Sequence, residues 1–213
     1  APENRDNVRF WYMSTLVYRD MGNLPKALES VKKAMQLQID VGDSAGVALS
    51  LNNLGNIYKN KNDISKALDY FNKSLELQKK LNNKYGVSIC LSNIGDVYIK
   101  QGDKSKGVEY ILQSLKIREE MEELDGIAYN LERLAYVMLD LGRLDEALEY
   151  GMKSLKVAKE LNYIENIRNA SKTLYKIYKK QNNANAALEM YELYFQMHDS
   201  ISNETTRKSS IKN

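Results

Sequence analysis

Proline is almost missing from this sequence, because only Pro2 and Pro25 occur among its 213 residues. Proline interrupts the interior of a helix, so its scarcity permits a chain that is helical over most of its length. Long apolar runs are missing as well, since the longest covers about residues 135–139. A transmembrane helix needs roughly 20 such positions. We therefore expect a largely helical chain with no membrane segment among these residues.

Cysteine and histidine occur once each, as Cys90 and His198. A single cysteine cannot form an internal disulfide, so cysteine usage does not identify the compartment. A zinc site needs several Cys or His ligands, which this sequence cannot supply. Nucleophilic catalysis needs partners that converge in space, whereas His198, Asp199 and Ser200 are only neighbours in sequence. The composition therefore predicts no metal, no cofactor and no enzymatic activity.

A large excess of one charge is also absent, because 31 basic residues stand against 28 acidic ones, a formal charge of +3. So small a charge does not predict attraction of the whole protein to nucleic acid or to an anionic membrane. Helical repeats that read RNA use matching side-chain positions for each base. Here those positions vary, and Asp96 and Glu132 share them with basic residues. We expect no nucleic-acid partner and keep a helical-repeat nucleic-acid-binding protein as the alternative function.

A short motif recurs five times, and each copy begins 40 residues after the previous one. The copies begin at Gly22, Asn62, Gly102, Gly142 and Asn182. Upstream and downstream of each copy, apolar and small residues recur at spacings of three and four, which predicts a helix on both sides. Glycine and asparagine tolerate the left-handed conformation that ends a helix. Asp63 and Asp103 can then cap the helix that follows.

The pattern predicts a single array over residues 1–213, with units at about 8–47, 48–87, 88–127, 128–167 and 168–207. Each unit holds two helices, which the spacing places at roughly 5–21, 24–41, 45–61, 64–81, 85–101, 104–121, 125–141, 144–161, 165–181 and 184–200. Residues 202–213 have no apolar stripe except Ile211, so we expect a polar tail or a truncated helix there.

The recurrent residues resemble the tetratricopeptide repeat, whose pattern is W-x2-L-G-x2-Y followed by Ala, Phe and Ala in a second helix. The matching residues are Trp11 and Tyr18, then Leu54, Gly55 and Tyr58, then Ala67, Phe71 and Ser74. The resemblance covers about residues 8–207 and implies an all-α fold, a right-handed α-solenoid (α-α superhelix) of five helical hairpins. It also implies a scaffold that binds a protein or peptide, with the first helix of each hairpin lining a concave groove.

Two departures point to a longer variant of this repeat. The period is 40 instead of about 34, and the closing proline of the family is absent. The variant resembles kinesin light chains and bacterial peptide-sensing regulators. Tyr191, Tyr194 and His198 resemble the last repeat of bacterial sensor histidine kinases and regulators. That likeness implies a sensory module of a signal-transduction protein, followed by a membrane helix, in the periplasm; soluble scaffolds of the family are cytoplasmic, and the sequence leaves both compartments open.

The resemblance also indicates which polar residues face the groove. They are Asn52, Asn53, Asn56, Lys59, Asn93, Asp96, Lys100, Arg133, Tyr136, Lys172, Lys176 and Lys179. A side-chain amide has donors and an acceptor, so Asn53 and Asn93 could grip a peptide backbone, or they could bond only to their own structure. A row of lysines on one helix face could bind an acidic group or be simply solvated; its members are Lys172, Lys176, Lys179 and Lys180. An uncapped end of the array could stack on a second copy.

Overall fold

Ten α-helices run through residues 2–210, the part of the chain whose backbone the computed structural model describes; its side chains are described for residues 6–202. The helices are α1 (Pro2–Asp20), α2 (Leu24–Asp40), α3 (Ser44–Asn60), α4 (Ile64–Lys80), α5 (Lys84–Gln101), α6 (Lys104–Glu120), α7 (Leu124–Asp140), α8 (Leu144–Glu160), α9 (Ile164–Lys180) and α10 (Ala184–Ser210). No strand occurs between residues 2 and 210. The expected all-α helical-repeat solenoid fold is confirmed.

The predicted helix bounds agree with the observed ones to within one residue from α2 to α9. The prediction was wrong at α10, which continues to Ser210 instead of ending near residue 200. Residues 201–210 contain neither proline nor glycine, so nothing in their sequence ends the helix. For residues 202–213 the sequence left a polar tail or a truncated helix open; α10 runs as far as Ser210, and Ile211 lies outside the described residues.

Residues with positive φ separate the helices, as the recurrence of glycine and asparagine predicted. Within a hairpin these are Gly22, Asn62, Gly102, Gly142 and Asn182, and between hairpins they are Gly42, Asn82, Glu122 and Asn162. The predicted caps are confirmed, because the backbone N–H of Lys66 donates to Asp63 at 3.2 Å and that of Lys106 donates to Asp103 at 3.1 Å. Glu122, with φ of 54°, is the one member of this set that is neither glycine nor asparagine.

Contacts divide the chain into two compact units, residues 1–114 and 115–213, and the boundary falls within α6. In the first unit, α1 pairs with α2 and α3 pairs with α4 as helical hairpins. In the second unit, α7 pairs with α8 and α9 pairs with α10. The second helix of one hairpin also contacts the first helix of the next, as α2 does α3, α4 does α5 and α8 does α9. Within each unit, neighbouring hairpins therefore pack against each other through these helices.

Small residues bring the two helices of a hairpin close together. A Cβ added at Gly55 would meet the ring of Phe71, which is fully buried. Gly95 and Gly107 face each other in the same way, since a Cβ on either would lie 2.9 Å from the other's carbonyl oxygen. The sequence predicted this close approach from the recurrence of small residues.

Serine replaces the second alanine of the repeat, and each such serine makes the same buried hydrogen bond. Ser74 Oγ donates to the carbonyl of Ala48 at 2.7 Å, Ser114 Oγ to that of Ser88 at 2.8 Å and Ser154 Oγ to that of Ala128 at 2.8 Å. The hydroxyl is therefore satisfied without water, and it ties the second helix of the hairpin to the first.

Long polar side chains fill the joints between hairpins, and glycine makes room for them. A Cβ at Gly46 would lie 2.8 Å from Gln38 Nε2, and one at Gly86 would overlap the Gln78 side chain. In the second unit a Cβ at Gly126 would overlap the guanidinium of Arg118. At the last joint, Ala158 stands at the position of the glutamines and Asn166 at that of the glycines. The short side chain and the longer one have therefore exchanged positions there.

Candidate functional site

The first helices of successive hairpins touch through polar pairs that are 41 residues apart. In the first unit Asn93 Nδ2 donates to Asn52 Oδ1 at 2.9 Å, and Lys100 Nζ donates to the carbonyl of Lys59 at 2.9 Å. The second unit repeats this register in pairs Asp125–Asn166 (3.1 Å), Glu132–Thr173 (3.0 Å) and Leu139–Lys180 (3.5 Å). These pairs recur every seven residues along each helix, so a heptad row of polar contacts joins neighbouring first helices.

This row includes most of the groove residues that the sequence predicted for the first unit. Asn52 and Asn93 bond to each other, and Asn56 Nδ2 donates to the carbonyl of Asn52 at 3.2 Å. Lys59 Nζ lies 3.9 Å from Asp96 Oδ2, and both side chains are largely buried. The amide N–H of Asn93 is therefore used within the protein, which is the structural role that the sequence left open.

Asn53 differs from Asn93, although the two residues occupy equivalent positions 40 residues apart. Its side chain is only 5% exposed, and its Nδ2 has no hydrogen-bond partner. Unlike the other predicted groove residues, it is closed to a guest in this conformation, which departs from the expectation for a groove residue. A buried donor without a partner is rare in native proteins, and its cost to the folded state is about 1–3 kcal/mol.

The second unit contains an open cleft of ≈ 500 Å³ between α7 and α9. Its lining consists of Tyr136, Leu139, Asp140, Tyr175, Lys176, Lys179 and Lys180. Two aromatic rings and a leucine supply apolar surface, and three ammonium groups face one carboxylate. The cleft is therefore suited to a ligand that combines an apolar group with negative charge.

The lysines of this cleft lie close to its tyrosines. Lys176 Nζ is 6.0 Å from the ring centroid of Tyr136, and Lys179 Nζ is 5.7 Å from that of Tyr175. Such distances are at the outer limit of a cation–π contact, which contributes about 0.5–1 kcal/mol at an exposed site. The rings thus contribute only weakly to the positions of the Lys176 and Lys179 ammonium groups.

The other predicted groove residues of the second unit lie beside the cleft. Arg133 is 5.9 Å from the ring centroid of Tyr136. Lys172 is 5.8 Å from the ring centroid of Tyr194 on α10 and does not line the cleft. Of the four lysines in the predicted row, three therefore line the cleft, namely Lys176, Lys179 and Lys180.

Leu139, Asp140 and Tyr175 also line the cleft, although the sequence pattern did not predict them there. Tyr175 resembled the many tyrosines that occupy packing positions in the repeat, so its type alone gave no indication. The register of 41 residues accounts for Leu139, because Leu139 and Lys180 are one of its pairs. It does not account for Asp140 or Tyr175, which lie one and five residues from that pair, whereas residues that share a helix face are three or four apart.

Cys90 is buried on α5, as the sequence predicted for a small core residue. Burial raises the pKa of its thiol, and the hydrogen bond of its Sγ to Ser74 Oγ at 3.3 Å offsets this only in part. A buried thiol with a raised pKa is a poor nucleophile. Among the described residues no group of three or more His, Cys, Asp or Glu side chains could hold a metal ion.

None of the helices in the described part of the chain combines the length and apolar character needed to cross a membrane.

Family models described as tetratricopeptide repeat match two stretches of the chain, residues 16–80 and residues 90–121. None of the curated proteins matches the sequence.

Solved structures share the fold at low sequence identity. A Rap protein complexed with competence and sporulation factor is 18% identical with a TM-score of 0.81, over 93% of this chain and 56% of that one. BtubC (BKLC) from P. vanneervenii is 12% identical with a TM-score of 0.69, over 93% of this chain and 92% of that one. Repeats assigned to a kinesin light chain of Podosopora anserina are 15% identical with a TM-score of 0.69, over 91% and 96%. Identities this low establish the likeness in fold alone.

Proposed function

Since this chain belongs to the tetratricopeptide-repeat family, we propose that it is an interaction scaffold that holds a segment of a peptide or protein. The observation that carries the proposal is the cleft between α7 and α9, with two tyrosines and three lysines in its lining. Ligand sites are concave and mostly apolar, with a few polar groups that fix orientation. No catalytic step enters this function.

The charges of the cleft define the class of segment. Lys176, Lys179 and Lys180 outnumber the carboxylate of Asp140, so a segment that carries Asp, Glu or a terminal carboxylate gains attraction there. An apolar side chain next to that acidic group would cover Tyr136 or Tyr175. The lysine ammonium groups are point charges on flexible stems, so they accept carboxylates in several geometries.

Asn53 offers a separate contact in the first unit. Its Nδ2 lacks a partner, and a peptide carbonyl that reached it would supply the missing acceptor. The side chain is buried, so this contact requires a local movement that uncovers it. Asn93 is the contrasting case, because its amide already donates to Asn52.

The biological setting of the proposal is signal transduction. The Rap protein that shares this fold was solved with competence and sporulation factor bound. By analogy, the segment held by this chain is a signalling peptide or a signalling partner, and the chain is the sensory or interaction module of a bacterial protein. The resemblance of the last repeat to sensor proteins supports the same setting.

Selection from a random-peptide phage library on the folded protein would test the function. The enriched peptides would be synthesised with a fluorescent label and titrated by anisotropy. We expect an acidic residue beside an apolar one in the enriched set. In the variant Lys176→Glu/Lys179→Glu the affinity should fall at least about tenfold, because reversed charges repel the acidic group. Higher NaCl concentration should also weaken binding to the unmodified protein.

Lys156→Glu is the matched control, since Lys156 is an exposed lysine on α8 and does not line the cleft. It should leave the affinity unchanged. If the enriched peptides bind Lys176→Glu/Lys179→Glu as tightly as the unmodified protein, the cleft is not their site. If no peptide is enriched more on this protein than on an unrelated helical protein, the proposed binding of acidic peptide segments is wrong.

A further inference from the structure

The first helix carries an apolar stripe that the rest of the described structure leaves uncovered. The stripe consists of Phe10, Met13, Val17 and Met21, at spacings of three and four, so these side chains share one face of α1 and its end. Phe10 is 60% exposed and Val17 is 52% exposed. The opposite face holds the fully buried Thr15.

The equivalents of Phe10 and Val17 in later hairpins of the first unit are buried. Val17 corresponds to Ile57 and Val97, which are both fully buried. Phe10 corresponds to Ser50 and Cys90, which are buried as well. These residues lie on α3 and α5, and each of these helices is covered by the second helix of the hairpin before it. The stripe on α1 therefore corresponds to the receiving face of a joint, and within the described residues no helix covers it as α2 covers α3.

The last helix carries the opposite face. Leu188, Tyr191 and Phe195 lie on one side of α10, and Tyr191 is 44% and Phe195 52% exposed. Tyr191 corresponds to the buried Gly151 of α8, and Phe195 corresponds to the buried Leu155. In that hairpin the same side of the second helix is covered by α9. The stripe on α10 is therefore the covering face of a joint.

The internal joints show how these two faces meet. In the first unit, Val31 of α2 shares a buried cluster with Leu54 and Ile57 of α3. In the second unit, a Cβ added at Gly151 of α8 would lie 2.8 Å from Leu174 Cδ2 of α9. Val31 and Gly151 are the equivalents of Tyr191, and Ile57 is the equivalent of Val17. At the first joint the equivalent of Tyr191 thus shares a buried cluster with the equivalent of Val17. At the joint of α8 with α9 it faces Leu174, whose equivalent on α1 is Ser14.

We propose that the α10 face of one copy of this chain docks on the α1 face of a second copy, through the same type of joint that connects its own hairpins. Leu188, Tyr191 and Phe195 of one copy cover Phe10, Met13 and Val17 of the next. The side chains are bulkier than at the internal joints, where Ser50 takes the place of Phe10, so the helices stand further apart and the contact is weaker. Because the two faces differ, the contact is head-to-tail and association continues beyond two copies.

Complementary variants test this pairing in the whole chain. Met13→Glu/Val17→Glu removes the α1 face, and Leu188→Glu/Phe195→Glu removes the α10 face. Sedimentation velocity should show the unmodified protein rising above its monomer mass of 24.5 kDa as concentration increases. Each variant alone should stay at the monomer mass. An equimolar mixture should form a 1:1 dimer and nothing larger, because each variant retains the face that the other has lost.

Circular dichroism should show that both variants remain helical, since all four side chains are exposed. Met152→Glu, an exposed apolar residue of α8, is the matched control and should associate like the unmodified protein. The proposal is overturned if the unmodified protein stays monomeric at every concentration. It is overturned equally if Leu188→Glu/Phe195→Glu still dimerises by itself, which would indicate α1 pairing with α1, or if the mixture forms no dimer.

Discussion

Two asparagines at equivalent positions show how one side-chain type takes two roles. Asn93 donates to Asn52, whereas the Nδ2 of Asn53 is buried without a partner. An unpaired buried donor destabilises the fold, while loss of one member of a paired set leaves the other unpaired. The same substitution should therefore have opposite effects at the two positions.

Asn53→Leu should raise the free energy of unfolding by about 1 kcal/mol, because leucine of similar size removes the unpaired donor. Asn93→Leu should lower it by about 1 kcal/mol, since Asn52 Oδ1 then loses its partner. Urea denaturation followed by circular dichroism measures both. Equal losses of stability at the two positions would contradict the difference in bonding. A gain at Asn53 that also weakens peptide binding would indicate that the unpaired amide serves the ligand.

Glu122 adopts a left-handed conformation that costs a residue with a Cβ about 1–2 kcal/mol. Glu122→Gly should therefore stabilise the protein by about 0.5–1 kcal/mol, after the greater backbone freedom of glycine in the unfolded chain is subtracted. Gly142→Ala is the reciprocal change at φ of 76° and should destabilise the protein by about 1 kcal/mol. Thermal melts of the two variants give the comparison. Destabilisation by Glu122→Gly would mean that the glutamate side chain contributes more than its backbone strain.

At the scale of the helical elements, close approach depends on glycine facing a large ring. A Cβ on Gly55 would meet three atoms of the Phe71 ring within 3 Å, including Cγ, so the ring cannot turn only its tip away. Overpacking of a core costs about 1–3 kcal/mol, whereas alanine gains about 1 kcal/mol over glycine in a helix. The steric term outweighs the gain, because Phe71 is fully buried.

Gly55→Ala should accordingly lower the free energy of unfolding by about 1–2 kcal/mol. Phe71→Leu should destabilise the protein alone, but it should relieve the cost of Gly55→Ala when the two are combined. A double-mutant cycle from urea denaturation would give the coupling between them. Simple additivity of the two changes would show that α3 and α4 adjust their spacing without cost.

The elements were predictable from the sequence because each one depends on local residues. Spacings of three and four placed the helices, and glycine or asparagine marked the turns at Asn62 and Gly102. The bonding of Asn93 was not predictable in the same way, since it depends on a partner 41 residues away. Tyr175 was missed because a tyrosine in a packing row and one in a cleft have the same sequence surroundings. Side-chain pairing therefore required the register between helices, which the local pattern does not contain.

At the scale of the whole molecule, Cys90 reports whether the chain opens. Its thiol lies between α4 and α5 in contact with Ser74, and burial raises its pKa above the ordinary value. Repeat proteins open in parts as well as globally, since each hairpin contacts only its neighbours. A reagent that reacts with thiolate therefore detects opening of this joint specifically.

Labelling of Cys90 by a disulfide reagent at pH 8 should be slower by at least about a thousandfold in the native protein than in urea-unfolded protein, since opening must precede reaction. Because its pKa is raised, the Cys90 thiol of the folded protein stays protonated to a higher pH than that of the unfolded protein. The contribution of the protonated Cys90 thiol to the free energy of unfolding is therefore fully present at neutral pH. It is lost as the pH rises above about 8.5, where the thiol of the unfolded chain ionises. Complete labelling of the native protein within seconds would contradict the burial of this residue.

The glycines at the joints also limit how such a gene changes length. Unequal recombination between segments 40 residues apart adds or removes one hairpin while every turn stays in phase. Gln38 faces Gly46 at the first joint, and Gln78 faces Gly86 at the second. A recombination between these two joints therefore leaves a glutamine facing a glycine, whether the product gains or loses a hairpin. An exchange that placed Gln78 in the same joint as Asn166 would be unfavourable. The asparagine side chain would occupy the space that Gly86 leaves for the glutamine. Hairpins can therefore be gained or lost near the beginning of this chain more readily than across its last joint.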